Sequence, residues 1–158
     1  MALFSACVAG GDMTANASPL EPYKWQSRIL LVFYNAGNDK REIDVAPRWN
    51  LELSYYARHE SGIMDRDMMV LFVTDNLVDP LILKGQGIKR ENVQWSEKLF
   101  EQYSPAFADG QIYAGVLIGK DGTVKKRWDK LPPVEEVFSL IDTMPMRQRE
   151  MRQNNYND

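Results

Sequence analysis

The sequence predicts an α/β domain in which a mixed β-sheet is flanked by helices. Three short apolar runs rich in β-branched and aromatic residues indicate buried strands, at residues 29–34, 68–73 and 113–118. Segments with apolar residues at helical spacing separate these runs. An Asp121-Gly122 turn followed by a lysine-rich run at 124–128 predicts a hairpin that adds a fourth strand.

The first half of the chain is predicted to form a strand, a helix and a strand. The run at 29–34 is continuously apolar, which is typical of a strand covered on both faces. The helix that follows has apolar residues on one face, at Trp49, Leu53, Tyr56 and Ala57. Gly62 is a typical helix stop, and we expect the second strand to begin at Met68.

The second half begins with residues 74–92, whose pattern predicts no particular element. A second helix is predicted from apolar residues that recur every four positions, at Trp95, Leu99 and Tyr103. After the hairpin, Pro132 and Pro133 open a last helix whose inner face contains Val134, Val137, Phe138 and Ile141. We expect Pro145 to end this helix, because a proline removes a backbone donor and clashes with the preceding turn.

The element order βαβαββα is the minimal thioredoxin arrangement. A right-handed crossover makes the first two strands parallel, and the hairpin adds its strands antiparallel. We therefore predict a thioredoxin-like fold with a four-stranded mixed sheet in the order 4-3-1-2, flanked by helices; another small α/β sandwich is the alternative. Residues 25–147 form this domain, residues 1–24 a tail or the remnant of a lipoprotein signal, and residues 148–158 a flexible C-terminal tail.

Composition and charge exclude several kinds of site. The net charge of −3 argues against a nucleic-acid partner, because such proteins usually carry a basic balance. Cys7 and His59 are the only cysteine and the only histidine, so the chain has neither an internal disulfide nor a Cys-x-x-Cys motif. Two such residues far apart are a poor basis for a metal site, and we predict no metal and no cofactor.

The position of redox chemistry in a thioredoxin-like fold lies where the first strand meets the first helix, whose N-terminus acidifies a thiol. Here residues 34–40 are Tyr-Asn-Ala-Gly-Asn-Asp-Lys and contain no Cys, Ser or Thr. Thiol-disulfide exchange at this position has no nucleophile, and we assign no catalytic residue.

The N-terminus contains a candidate lipidation site. Phe4-Ser5-Ala6-Cys7 resembles the end of a bacterial lipoprotein signal, in which a small residue precedes the cysteine that becomes lipidated. The basic start and the apolar run of about 7–15 residues that such a signal needs are missing. Either the natural start lies upstream, which predicts a periplasmic or envelope lipoprotein that contacts the membrane only through a lipid on Cys7, or this is a tail with a free thiol.

Three motifs resemble those of a known family. They are Arg66-Asp67-Met68, the turn sequence Val-Leu-Ile-Gly-Lys-Asp-Gly at 116–122, and Met-Pro-Met-Arg-Gln-Arg-Glu-Met at 144–151. Together they resemble the domain of unknown function 4174, found in bacterial exported proteins and in vertebrate extracellular proteins with sushi repeats. The resemblance covers about residues 25–151. It implies a thioredoxin-like, peroxiredoxin-related fold and an exported protein, and it supplies no catalytic residues.

The predicted topology brings these motifs to one end of the sheet, opposite the redox position. The residues that should converge there are Arg66, Asp67, Lys120, Asp121 and Arg147, with Arg28 and Lys125 nearby. One interpretation is structural: Asp67 or Asp121 pairs with Arg147 or Arg66. The other is a small basic pocket that binds an anion or an acidic protein loop, since the arginine fork suits carboxylate and phosphate.

These observations favour a non-catalytic binding or interaction module that acts outside the cytoplasm, with an unknown protein or a small anionic ligand as its partner. The alternative is a peroxiredoxin-like oxidoreductase or oxidative-stress protein. The alternative rests on analogy of fold and would need Cys7 or a bound cofactor.

Overall fold

The computed structural model describes residues 18–35, 37, 54–74, 78–82, 93–103 and 107–154. The strands of the described residues are β1 Arg28–Tyr34, β2 Met68–Val73, β3 Val78–Ile82, β4 Tyr113–Ile118 and β5 Val124–Trp128. The helices are α1 Glu60–Asp65, α2 Val93–Tyr103, α3 Val134–Asp142 and α4 Pro145–Asn154, and a 3-10 turn at Glu21–Tyr23 precedes β1.

The strands form one mixed sheet in the order β3-β2-β1-β4-β5. β1 pairs parallel with β2 and antiparallel with β4, and β4 forms the hairpin with β5. The predicted four strands, their order and the thioredoxin-like fold are confirmed. The structure adds β3 from the unassigned segment 74–92, and Pro80 within β3 suits the outer position of this strand.

The central strand β1 is buried along its whole length. Residues 29, 31 and 33 face a core that also contains residues of α2, whereas residues 30, 32 and 34 face a core built with α1 and α3. The sheet is therefore covered on both faces, and alternate residues of one strand contribute to two separate cores.

The segment before β1 differs from its prediction as a tail. Leu20 is buried and Tyr23 packs against the core on the α2 side of the sheet. Ser18 donates a hydrogen bond to the side chain of Gln102, 2.7 Å away in α2. Residues 18–24 are thus part of the packed domain, while Cys7 and the residues Trp49 and Leu53 of the predicted first helix lie outside the described residues.

Gly62 lies inside α1 rather than after it. A Cβ at this position would come within 2.6 Å of Cε2 of Phe138 in α3. The glycine therefore allows the close approach of two helices and does not end one. Residues 54–57 form a further helical turn just before α1.

Pro145 begins a helix instead of ending one. α3 stops at Asp142, and Pro145 is the first residue of α4, a position where its missing N–H costs nothing. The chain continues as a helix to Asn154, whereas the sequence predicts a flexible tail from residue 148. Arg147 is the only buried residue of α4, so this helix has no apolar periodicity that could have revealed it.

Replacing Gly115 should destabilise the fold. A Cβ on this β4 residue would come within 2.1 Å of Cγ in the rigid ring of Pro132. We expect Gly115→Ala to lower the free energy of unfolding by about 1–3 kcal/mol through overpacking. The exposed helical variant Ser139→Ala should change it by about 0.5 kcal/mol or less. Urea denaturation measures both, and an unchanged midpoint for Gly115→Ala would contradict the packing described.

Candidate functional site

Charged side chains gather at the end of the sheet where β1 and β2 begin. We call this cluster the charged pole, and its residues are Arg28, Asp65, Arg66, Asp67, Lys120, Asp142, Arg147 and Glu150. The described part of the pole contains four cations and four carboxylates, so its formal charge is balanced.

The topology explains why these residues meet. β1 and β2 are parallel, so Arg28 at the start of one lies opposite Met68 at the start of the other. β4 runs antiparallel to β1, so the turn that contains Lys120 is at the same end. α1 ends at Asp65 immediately before β2, and α4 contacts the cluster through Arg147 and Glu150.

Arg28 is the most deeply buried of the charged groups, with 1% of its surface exposed. Its guanidinium donates to the carbonyl of Arg66 at 2.6 Å and to both carboxylate oxygens of Glu150 at 3.2 Å. A buried charge is tolerated only when its donors are satisfied, so Arg28 depends on these two partners.

Lys120 supplies a second cation to Glu150. Its Nζ lies 2.8 Å from Oε1 of Glu150 and 2.8 Å from Oδ2 of Asp67. Burial alone would raise the pKa of Glu150. Hydrogen bonds from Lys120 and Arg28 outweigh burial and hold the pKa of this carboxyl below its usual value.

The other half of the pole connects three helices. Arg66 donates through two nitrogens to both oxygens of Asp142, at 3.0 and 2.7 Å, which is the strong bidentate geometry. Arg147 is buried, donates to the backbone carbonyl of Asp65 at 2.8 Å, and also pairs with the Asp65 carboxylate. These contacts join the ends of α1 and α3 to the first turn of α4.

The predicted convergence is found for Arg66, Asp67, Lys120 and Arg147, with Arg28 among them. Asp121 stands apart from the pole and pairs with Lys125 at 2.7 Å. The pairings differ from those expected: Asp67 pairs with Lys120, Arg66 with Asp142, and Arg147 with Asp65.

Three carboxylates of the pole are not predicted from the sequence, namely Asp65, Asp142 and Glu150. Glu150 lies three residues after Arg147, on the same face of a helix. That spacing is a signal for Glu150, but the polar composition of residues 148–158 predicts a flexible tail.

Asp121 organises the hairpin turn. Its carboxylate accepts hydrogen bonds from the backbone N–H and the hydroxyl of Thr123, at 3.1 and 2.9 Å. Partial burial would raise the pKa of Asp121, but hydrogen bonds from Lys125 and Thr123 lower it to about 2. Gly122 completes the turn with φ at +78°, a conformation that favours glycine.

An open groove of about 540 Å³ adjoins the charged pole. Its lining includes five charged residues, namely Arg28, Lys120, Asp121, Lys125 and Arg149. It also includes four apolar residues, namely Leu140, Met144, Pro145 and Met146. Arg149 is exposed and forms no ion pair with any described residue, so its charge is available to a ligand. The volume lies within the range of small-molecule sites, roughly 300–1,000 Å³.

The opposite end of the sheet carries aromatic groups. The ring of Tyr34 lies 5.5 Å from that of Tyr113 and 6.2 Å from that of Phe72. Over the part of the chain with a structural description, no group of three His, Cys, Asp or Glu residues could hold a metal ion. Residues 36 and 38–53, which include most of the predicted redox position, are outside the description.

Comparison with protein-family models matches residues 19–150. The chain belongs to the DUF4174 family, a domain of unknown function. The match runs from before β1 to Glu150, so the whole charged pole lies within the DUF4174 domain.

The chain was also compared with curated proteins and with solved structures. No curated protein matches the chain. Among solved structures, the mitochondrial 2-Cys peroxiredoxin of Plasmodium falciparum is similar over 77% of each chain, with 15% identity and a TM-score of 0.49. None of the described helices is long and apolar enough to cross a membrane.

The Arg28–Glu150 contact should show strong thermodynamic coupling. Glu150→Met leaves a buried guanidinium without its carboxylate, and we expect a loss of about 3 kcal/mol in the free energy of unfolding. Adding Arg28→Met should recover part of this loss, because no buried charge remains. Urea denaturation of both single variants and the double variant gives the coupling, expected at about 0.5–3 kcal/mol. Strict additivity would show that the pair does not interact.

Asp121 should make stability depend on pH in acid. Its pKa falls from 3.8 in the unfolded chain to about 2 in the fold, so its contribution is complete above about pH 5 and is lost as the pH falls towards 2. Because the pair with Lys125 is partly exposed, we expect about 1 kcal/mol at most. Between pH 5 and pH 3, Asp121→Asn should lose less stability than the wild type in urea denaturation, and an equal loss in the two proteins would contradict the lowered pKa of Asp121.

Proposed function

We propose that this DUF4174 protein is a non-catalytic binding module, whose groove beside the charged pole holds a small anion with an apolar portion. The observation that carries the proposal is Arg149, a groove cation that forms no ion pair with any described residue and shares the lining with apolar residues, in a chain whose net charge is −3.

The two kinds of lining residue suit the two parts of such a ligand. Arg149 has no described carboxylate partner, and its planar fork can bind a carboxylate or phosphate through two hydrogen bonds. Leu140, Met144 and Met146 form the apolar part. Methionine is flexible and polarisable, so these side chains can adapt to an alkyl or aromatic group.

The non-catalytic character of the proposal rests on the sequence of the redox position. Residues 34–40 offer no thiol or hydroxyl nucleophile other than the Tyr34 phenol, and the Tyr34 side chain is buried in the sheet. Cysteine-based reduction of a peroxide or a disulfide at this position therefore has no attacking group.

An envelope location is part of the proposal and is supported by Ser5-Ala6-Cys7, the residues that match the end of a lipoprotein signal. If Cys7 is lipidated in the natural protein, Cys7→Ser should move the protein from the membrane fraction to the soluble fraction. Mass spectrometry of the N-terminal peptide would show the lipid directly.

Octanoate tests the groove, because it combines a carboxylate with a short alkyl chain. At 100 times its Kd it should stabilise the full chain by about 2.7 kcal/mol. This corresponds to a rise in Tm of about 5–10 °C for a domain of this size. Acetate lacks the apolar part and octylamine has the opposite charge, so both should give much smaller shifts.

Arg149→Gln should remove most of the octanoate shift. Arg152→Gln is the matched control, because Arg152 is exposed on the same helix and does not line the groove. An equal shift with octylamine, or an unchanged octanoate shift in Arg149→Gln, would contradict an anion site in this groove.

A further inference from the structure

Glu150 occupies a position that a ligand carboxylate would fit. Its two oxygens lie among three cations: Arg28 at 3.2 Å, Lys120 at 2.8 Å and Arg147 at 3.8 Å. Arg28 is 1% exposed and its guanidinium is held by the carbonyl of Arg66. Arg28 and Lys120 are therefore held by other parts of the fold, whereas α4 supplies the anion and Arg147.

The contacts to Arg28 are longer than the best charge-assisted hydrogen bonds. All three N–O distances between Arg28 and Glu150 are 3.2 Å, whereas strong pairs of this kind measure about 2.7–2.9 Å. The Glu150 carboxylate also accepts a hydrogen bond from Lys120 at 2.8 Å, so its position is shared between two cations.

The cation cluster opens towards the groove. Arg28 and Lys120 both line the groove, together with the apolar residues Leu140 and Met144. The Glu150 side chain keeps 22% of its surface exposed, so it can rotate into solvent while Arg147 still holds the first turn of α4. A ligand in the groove thus has a path to the cations that Glu150 now neutralises.

We infer that Glu150 is an internal competitor, whose carboxylate fills the Arg28–Lys120 subsite until the carboxylate of an amphipathic ligand displaces it. The inference rests on the proposed function, because the apolar part of the same ligand binds the groove. Competition from Glu150 weakens the apparent binding of the ligand. The apparent Kd is the intrinsic Kd divided by the fraction of molecules in which Glu150 has left the subsite.

Glu150→Gln tests the competition. The amide keeps the size of the side chain and an acceptor for Arg28 but gives up the negative charge. Octanoate should bind this variant at least about tenfold more tightly than the wild type, as measured by isothermal titration calorimetry. Adding Lys120→Met should abolish the gain, since Lys120 is the second cation of the subsite.

The outcomes separate this inference from the proposed function. If octanoate binds the wild type and Glu150→Gln equally well, and Arg149→Gln still weakens binding, the groove site stands and the competition is wrong. If octanoate binds neither protein, both ideas fail.

A measurement on the wild type covers the case in which Glu150→Gln does not fold. Octanoate should shift the Arg28 Nε–H signal in ¹⁵N NMR spectra, because this guanidinium exchanges one carboxylate partner for another. A shift confined to Arg149, with the Arg28 signal unchanged at saturation, would overturn the displacement.

Discussion

The buried guanidinium of Arg28 imposes the constraint on which the charged pole depends. A cation at the start of the central strand cannot be left without acceptors, and two separate parts of the chain provide them: the Arg66 carbonyl before β2 and the Glu150 carboxylate on α4. The same carboxylate then orients Lys120 in the β4–β5 turn. One desolvated charge thus connects the beginning of the sheet, the hairpin and the last helix.

Apolar burial and ion pairing act at different places in this molecule. β1 and β2 are stabilised by apolar burial on both faces of the sheet. This contribution is non-directional, so it holds the helices against the sheet without selecting individual residue pairs. At the pole, hydrogen-bond geometry decides which helix end meets which strand. Arg66 combines an ion pair with an aromatic contact. Its guanidinium binds the Asp142 carboxylate and lies 4.1 Å from the centre of the Phe138 ring.

The strands that are apolar runs could be predicted from the sequence. The ion pairs of the pole and the elements held by polar contacts could not. β2, β4 and the part of β1 after Arg28 are uninterrupted apolar runs, but β3 contains Asp79 and Pro80 and leaves no such pattern. The convergence at the pole followed from topology alone. Its pairings did not, because whether Asp67 meets Lys120 or Arg147 depends on side-chain positions within a few ångströms. α4 was missed since nothing apolar in it is buried.

The polar docking of α4 has a calorimetric consequence. Both the heat capacity change and the denaturant dependence of unfolding scale with the surface that becomes exposed, and apolar surface dominates the heat capacity term. Release of α4 from the sheet would expose mainly charged groups, so neither quantity would change much. Separation of α4 leaves Arg28 without its carboxylate, so the separated population is small, and local probes such as amide hydrogen exchange would detect it where the heat capacity change would not.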